Sequence, residues 1–471
     1  MLVTLVAYNN EVKYHWFPIG LASIAASLEA AGHEVDIYQQ DVNRYSPEHL
    51  TAHIDQVKPD VVGLGVVSGP LQYRKCAEVR DALRITKKTP LHFVLGGHGP
   101  SATPEHFLRK FGACAIVIGE GEETMVELVN AWEAGVPIID IAGIAFIAKD
   151  GQYQENERRP IIEDLDNDLP RPAYHLFDIN YYRLVERPQQ HETDFVMPIL
   201  SGRGCPYKCT FCYRMDPGFR ARCNDAIIAE MKFLQDTYRI NYFVFIDELL
   251  MSSPRRTKSL CRAIIDADLG VKWWCSGRLN HARPDVLKLM EEAGCVFINY
   301  GIEAVDDEVL RLMHKNLTVD QIIRGVEATL ETSISPGLNM LWGNLGDNKD
   351  TLEAAVAFLE EYQDTSQLRT IRPVCPYPGT ALYQMAIEMG LLEGPEDFYE
   401  RKHLNSDLFT VNFMDIPDDK AYDMLFHANA LLIQKHFART CDRSLLAAHR
   451  LYRDRADPGF RGFRDTGGQP R

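Results

Sequence analysis

Along the first 150 residues, short apolar runs alternate with longer stretches whose apolar positions recur every three or four residues. Residues 2–7 read as a strand, 20–31 as an Ala/Leu-rich helix closed by Gly32, 35–38 as a second strand and 47–56 as a helix. The series continues with a strand at 60–67, a helix at 71–83, a strand at 92–96, a helix at 104–110, a strand at 113–118 and a helix at 122–134. Five strands with intervening helices predict a parallel, doubly wound sheet. Such sheets bind ligands at the carboxyl ends of their strands, near the switch point. The turns expected there are Ser68-Gly69-Pro70, Gly96-Gly97-His98-Gly99-Pro100-Ser101 and Gly119-Glu120-Gly121-Glu122-Glu123. Glycine admits a close backbone approach to a large ligand and equally makes a tight turn with none, and the pattern leaves both readings open.

From Asp150 the alternation breaks. Residues 164–172 are charged and proline-containing, as in a linker. A second strand–helix series follows, with strands expected at 196–201, 242–246, 271–276, 296–301, 335–341 and 369–374. Six β/α units predict an open, three-quarter barrel of the TIM type, with its chemistry at the C-terminal strand ends. Beyond about residue 391 the pattern is mostly helical, clearest at 421–437, and the Gly-, Arg- and Pro-rich residues 457–471 predict a disordered tail. The expected organisation is a Rossmann-like domain at 1–150, a linker at 151–194, a barrel at 195–390, a helical region at 391–456 and the tail.

Composition narrows the classes. Of 471 residues, 46% are hydrophobic and 25% charged, which predicts a core of ordinary size. A formal charge of −16 argues against a nucleic-acid partner, which needs a basic face. The longest apolar candidate, 138–148, is interrupted by Asp140 and falls well short of the roughly 18 residues of a membrane span. The N-terminus lacks the basic flank of a secretory signal, so a cytoplasmic location is expected. In a reducing compartment the eleven cysteines are not expected to form disulfides. Eight of them stand singly and read as small core residues; three are clustered.

The cluster is Gly204-Cys205-Pro206-Tyr207-Lys208-Cys209-Thr210-Phe211-Cys212-Tyr213, a C-x3-C-x2-C spacing directly after the first barrel strand. A structural zinc normally takes four protein ligands. No Cys or His occurs in the next ten residues, and Cys223 lies eleven beyond Cys212. Iron–sulfur cubanes are usually held by four thiolates, so three leave one iron open to another ligand. A zinc site completed by a distant residue is the alternative.

This loop, in this place, resembles the signature of the radical S-adenosylmethionine (SAM) superfamily, and the resemblance covers most of residues 195–390. It implies a 4Fe–4S cluster on Cys205, Cys209 and Cys212 whose open iron is chelated by the amino and carboxylate groups of SAM. One electron, from a donor such as flavodoxin or ferredoxin, then yields a 5′-deoxyadenosyl radical, and the protein's part is orientation and exclusion of water. Tyr213 matches the position whose backbone meets the adenine. Gly301-Ile302-Glu303 looks like the strand end that borders SAM, and Ser276 and Arg278 match positions near its ribose or carboxylate. The segment 377–383 also follows the pattern, whereas Asn344-Leu345-Gly346-Asp347 departs from the Pro-Gly-Glu more frequent in relatives.

The whole of residues 1–390 is similar to the cobalamin-binding radical SAM subfamily. By that likeness Ser68, Gly96, Gly97, His98 and Gly121 line a cobalamin groove. The Asp-x-His-x-x-G motif that supplies an axial histidine elsewhere is absent: His15 has the wrong spacing and His98 lies on a different loop. Base-off cobalamin without a histidine on cobalt is therefore expected. The implied activity is methylation of an unactivated carbon of a small molecule through methylcobalamin. The alternative is ring formation, ring contraction or oxygen insertion without methyl transfer, as in the anaerobic cyclase. Barrel position alone puts Asp247, Glu248, Trp342, Cys375 and Tyr377 at the substrate pocket. A tRNA methylthiotransferase needs further cluster cysteines and a basic RNA-binding domain, and neither is visible. A corrinoid sensor has no use for the three-cysteine loop.

Overall fold

The computed structural model describes residues 1–88, 90–215, 218–364 and 366–455; the tail expected at 457–471 lies outside the described residues. The first unit is a seven-stranded sheet in the order β2-β1-β3-β4-β5-β6-β7. Its strands and helices are β1 (Leu2–Ala7), α1 (Ile19–Ala30), β2 (Glu34–Gln39), α2 (Pro47–Val57), β3 (Val61–Gly65), α3 (Pro70–Arg84), β4 (His92–Gly96), α4 (Pro104–Phe111), β5 (Ala115–Val117), α5 (Glu122–Ala134), β6 (Ile144–Ile147) and β7 (Tyr153–Glu155). The first five strands are parallel and β1 lies between β2 and β3, so the order reverses beside β1. Helices α1 and α5 pack together on one face, and α3 contacts both α2 and α4 on the other.

Two features differ from expectation. β6 and β7 pair antiparallel on the free edge of β5, so residues 153–155 belong to the first sheet and not to the linker. The rest of the linker is also folded: Tyr174, Phe177 and Tyr182 are buried around Phe17, with ring centroids 5.1–5.5 Å from it.

The second unit is a six-stranded parallel sheet in the order β15-β14-β13-β12-β11-β8, with no pairing between β8 and β15 to close it. It is built from β8 (Val196–Ile199), a two-stranded ribbon β9 (Gly202–Arg203) and β10 (Arg220–Ala221), α6 (Asn224–Tyr238), β11 (Tyr242–Phe245), α7 (Pro254–Asp266), β12 (Lys272–Gly277), α8 (Pro284–Glu292), β13 (Cys295–Glu303), α9 (Val319–Leu330), β14 (Ser335–Trp342), α10 (Lys349–Glu361) and β15 (Ile371–Pro373). Local capping sets several helix starts. Ser253 accepts from the backbone N–H of Arg256, and Thr318 and Asn348 form capping boxes with Gln321 and Thr351. Two more helices follow, α11 (Ala381–Glu388) and the long α12 (Asp418–His449).

The two units share cores. Tyr73, Phe107 and Phe111 of the first pack against Phe398, Tyr399 and Phe413 of the C-terminal segment, with Tyr73 stacked on Tyr399 at 4.7 Å. Burial of these rings fixes the barrel against the doubly wound sheet. Among the described residues no helix is long and apolar enough to cross a membrane.

Candidate functional site

Where the carboxyl ends of β3, β4 and β5 meet the barrel there is a cleft of about 490 Å³. Leu5, Gly63 and Val94 form its floor, Leu21 and Ile24 of α1 and Met125 of α5 its walls, and Leu200, Arg203, Gly204, Met215, Ile246 and Glu248 of the barrel its far side. Side chains are pared away along the floor: a Cβ at Gly63 would come within 2.7 Å of Leu5 Cδ2. At Gly97, φ is +92° and a Cβ would lie 2.6 Å from the Val66 carbonyl, so only glycine makes this turn. A mostly apolar cleft at a switch point fits a large planar ligand with a long tail.

Of the groove residues expected from sequence, Gly96, Gly97, His98 and Gly121 line this cleft. Ser68 does not. It is buried beside Tyr399, and Val66 and Val67 of the same turn take its place. His15 is buried away from the cleft, bonded to Tyr181, Asn9 and the N–H of Asn10. The sequence reading missed the floor, although glycines at 63 and 65 within an apolar strand mark a close approach.

The cysteine loop spans the gap between β9 and β10. Its amide at Gly204 donates to Glu248 (2.9 Å), that at Thr210 to the Met313 carbonyl (3.0 Å), and Tyr207 meets His281 at 3.1 Å. A hydrogen bond with Cys212, aided by the nearby Lys315 and Arg278, pulls the Cys209 thiol down to about 6, while the same bond and burial push Cys212 up; burial raises Cys205. Among the described residues no three Cys, His, Asp or Glu side chains close around a single ion position.

Arg278 is buried, stacked 3.6 Å over the Tyr207 ring, and donates to the carbonyls of Lys315 and Asn316. Its Nε is buried without a hydrogen-bond partner among the described residues, which fits a carboxylate arriving beside the cysteines. Glu303, at φ +69°, is buried and paired with Lys315 at 2.9 Å. The Tyr213 ring lies against the turn at Gly379 and edge-on to His98 at 5.3 Å, so the expected SAM and cobalamin residues meet there. Ser276 is half-buried near the end of β12, in register with Asn299.

The substrate expectation fares unevenly. Glu248 faces the cleft, but Asp247 is buried behind it, accepting from the Ser201 amide and hydroxyl at 3.0 Å. Burial pushes Asp247 up to about 7 against those hydrogen bonds. Trp342 is interior packing: it is buried, its indole N–H donates to the Asn348 carbonyl at 3.0 Å, and its ring lies against Phe409. Cys375 and Tyr377 belong to a polar knot outside the cleft. The Cys375 sulfur lies 3.4 Å from Thr410 and 3.5 Å from His403, and Tyr377 donates to Ser406 at 3.4 Å.

Residues 5–129 match the B12 binding domain family and residues 199–359 the Radical SAM superfamily. An uncharacterized methyltransferase of Pyrococcus horikoshii is 27% identical over 379 residues, covering 80% of this chain and 79% of its own. An anaerobic magnesium-protoporphyrin IX monomethyl ester cyclase of Rubrivivax gelatinosus is 26% identical over 385 residues, covering 79% and 67%. The fold is that of the radical SAM methyltransferase TsrM from Kitasatospora setae, solved with cobalamin and a [4Fe-4S] cluster bound: TM-score 0.68 and 21% identity over 84% of this chain and 79% of that one.

Proposed function

Since the chain joins a B12-binding domain to a radical SAM domain and so belongs to the cobalamin-binding radical SAM superfamily, we propose that it is a methyltransferase acting on an unactivated carbon of a small molecule. The observation that carries this is the shared cleft: Gly204, next to Cys205, lines the same cavity as Gly96, Gly97 and His98 of the first sheet. Curated relatives named as methyltransferases, among them the hopanoid C-3 methylase of Methylococcus capsulatus at 23% identity, support the methyl outcome.

Cys205, Cys209 and Cys212 would hold the cluster, and the cleft would hold cobalamin. When bound, a reduced cluster supplies the electron that cleaves SAM to a carbon radical, and cobalamin supplies the methyl-carrying metal. The chain's own contribution is placement. Arg278 meets the SAM carboxylate through its free Nε, Tyr213 and Ser276 border the nucleoside, and the buried Glu303–Lys315 pair balances charge beside the thiols. The apolar walls keep water from the radical. His98 is the histidine at the cleft, and burial lowers its pKa against the nearby Glu248 carboxylate. We assign it to the cleft wall with no bond to cobalt, in a cobalamin bound base-off. Nitrogen superhyperfine splitting from a protein imidazole in the cob(II)alamin spectrum would overturn that assignment. A small acidic one-electron carrier of the flavodoxin or ferredoxin kind would be the reductant.

Anaerobically reconstituted protein given methyl-labelled SAM and reductant tests the function. Transfer of label to bound cobalamin with release of S-adenosylhomocysteine is expected. Formation of 5′-deoxyadenosine with the label recovered only in methionine and unspent SAM would instead favour the second reading, a radical cyclisation or oxygen insertion. The cyclase of Rubrivivax gelatinosus, nearly as similar as the methyltransferase of Pyrococcus horikoshii, supports that second reading.

A further inference from the structure

Between the two units lies a buried group of four charges carried by residues that line the cleft. Arg203 and Arg220 face each other across the ribbon β9–β10, the two strands from which the cysteine loop springs. Arg203 donates through one nitrogen to Glu120 and through the other to Glu122, both at 2.6 Å. Arg220 grips Glu120 at 2.9 and 3.0 Å and also donates to the Ile162 carbonyl. The second oxygen of Glu120 accepts from the Ile162 amide at 2.9 Å. Side-chain exposure is 18% for Arg203, 9% for Glu120 and 7% each for Glu122 and Arg220.

Two carboxylates and two guanidiniums cancel, and desolvation makes each depend on the others. Burial alone would raise the pKa of Glu120, but the hydrogen bonds of the two arginines hold it below the usual range. All four side chains belong to residues lining the cleft: Glu120 and Glu122 on the turn after β5, Arg203 and Arg220 at the root of the cysteine loop. A ligand that orders the turn therefore orders the ribbon, and a cluster that orders the ribbon orders the turn.

We infer that Glu120, Arg203 and Arg220 are positioning residues that couple the two cofactor sites, so that a loaded cluster tightens cobalamin binding and bound cobalamin stabilises the cluster by the same factor. This rests on the proposed function, since it requires both sites to be used. The reciprocity is thermodynamic: whatever one ligand does to the affinity of the other is returned.

The test measures the dissociation constant of hydroxocobalamin on the full chain, with the cluster assembled and without it, in the native protein, Glu120→Gln and Arg203→Lys. Glu120→Gln keeps an acceptor for the Ile162 amide and removes the charge that both arginines share. The native ratio is expected to reach about tenfold, within the usual range of such couplings, and to fall toward one in both variants. Asp320→Asn, which removes an exposed ion pair with Arg324 on α9, should leave the ratio unchanged. If a variant does not fold, Glu122→Gln tests the other arm of Arg203. A native ratio of one, or an undiminished ratio in the variants, overturns the coupling while leaving the function standing. A native protein that binds no cobalamin at all overturns the function itself.

Discussion

Replacing Gly65 by leucine should strongly weaken cobalamin binding without unfolding the protein. Gly65 ends β3 on the floor of the cleft, two residues from Gly63 and on the same side of the strand. A Cβ there meets only Leu21 Cδ2, at 3.9 Å, an ordinary van der Waals contact. Its backbone lies outside the left-handed region, so a larger side chain enters the cavity without backbone strain. Gly63 is the worse choice, because the 2.7 Å approach to Leu5 would disturb the sheet and confuse lost stability with lost binding. A leucine side chain adds four carbons to a cleft of about 490 Å³ and denies that apolar surface to a ligand. At about 0.8 kcal/mol per buried methylene the loss is roughly 3 kcal/mol, or on the order of a hundredfold in Kd. Equilibrium dialysis of hydroxocobalamin, read by its visible absorbance, measures this directly. The melting temperature and the iron and sulfide per chain are the controls, and both should stay near native. Native-like affinity in Gly65→Leu would show that cobalamin does not occupy this cleft.

Changing Cys205, Cys209 and Cys212 together to alanine should remove the iron and SAM cleavage and weaken cobalamin binding by no more than the about tenfold that loss of the cluster costs the native protein, as metal analysis and dialysis on one preparation would reveal; iron retained at the native level would refute the ligand assignment. Asp247 is pushed up to about 7 by burial, so the folded protein keeps a proton that the unfolded chain releases from about pH 4 upward. Stability from this group is therefore present in acid and lost as pH rises toward 7, and the difference in melting temperature between Asp247→Asn and the native protein should grow in the variant's favour across that window. A pH-independent difference would mean that Asp247 is ionised throughout. Trp342→Ala should cost about 3–5 kcal/mol in denaturant unfolding, as for other large buried aromatics, and a loss under about 1 kcal/mol would show the ring to be exposed to a pocket after all.

Much of the fold was legible because it is written in near neighbours. The strand at Leu2–Ala7 and the helix at Glu122–Ala134 begin and end where the apolar pattern puts them, and all six barrel strands overlap the expected segments, although Lys272–Gly277, Cys295–Glu303 and Ser335–Trp342 run past their ends. The cysteine spacing places three thiols on one loop whatever surrounds it. Strands β6 and β7, of four and three residues, are too short to show a period, and only pairing on the edge of β5 makes them strands. Trp342 and Asp247 were misplaced for a different reason. Asp247 and Glu248 follow β11 in irregular backbone where no period applies, and strands of a parallel barrel are covered on both faces, so nothing in the pattern tells which side is the cleft.

The amino-acid sequence by itself determined most of the elements, the parallel character of the barrel sheet and of the first five strands, the glycine turns and the three thiols of the cysteine loop. These depend on propensity and spacing over a few residues. Only the tertiary structure decided that Val66 and not Ser68 lines the cleft, that His15 stays out of it, and that Glu120 meets Arg203 and Arg220 across 83 and 100 residues. Those contacts follow from how the rings of Tyr73 and Phe107 bury against Phe398 and Tyr399. The cause is burial of non-local apolar surface, which carries no period along the chain.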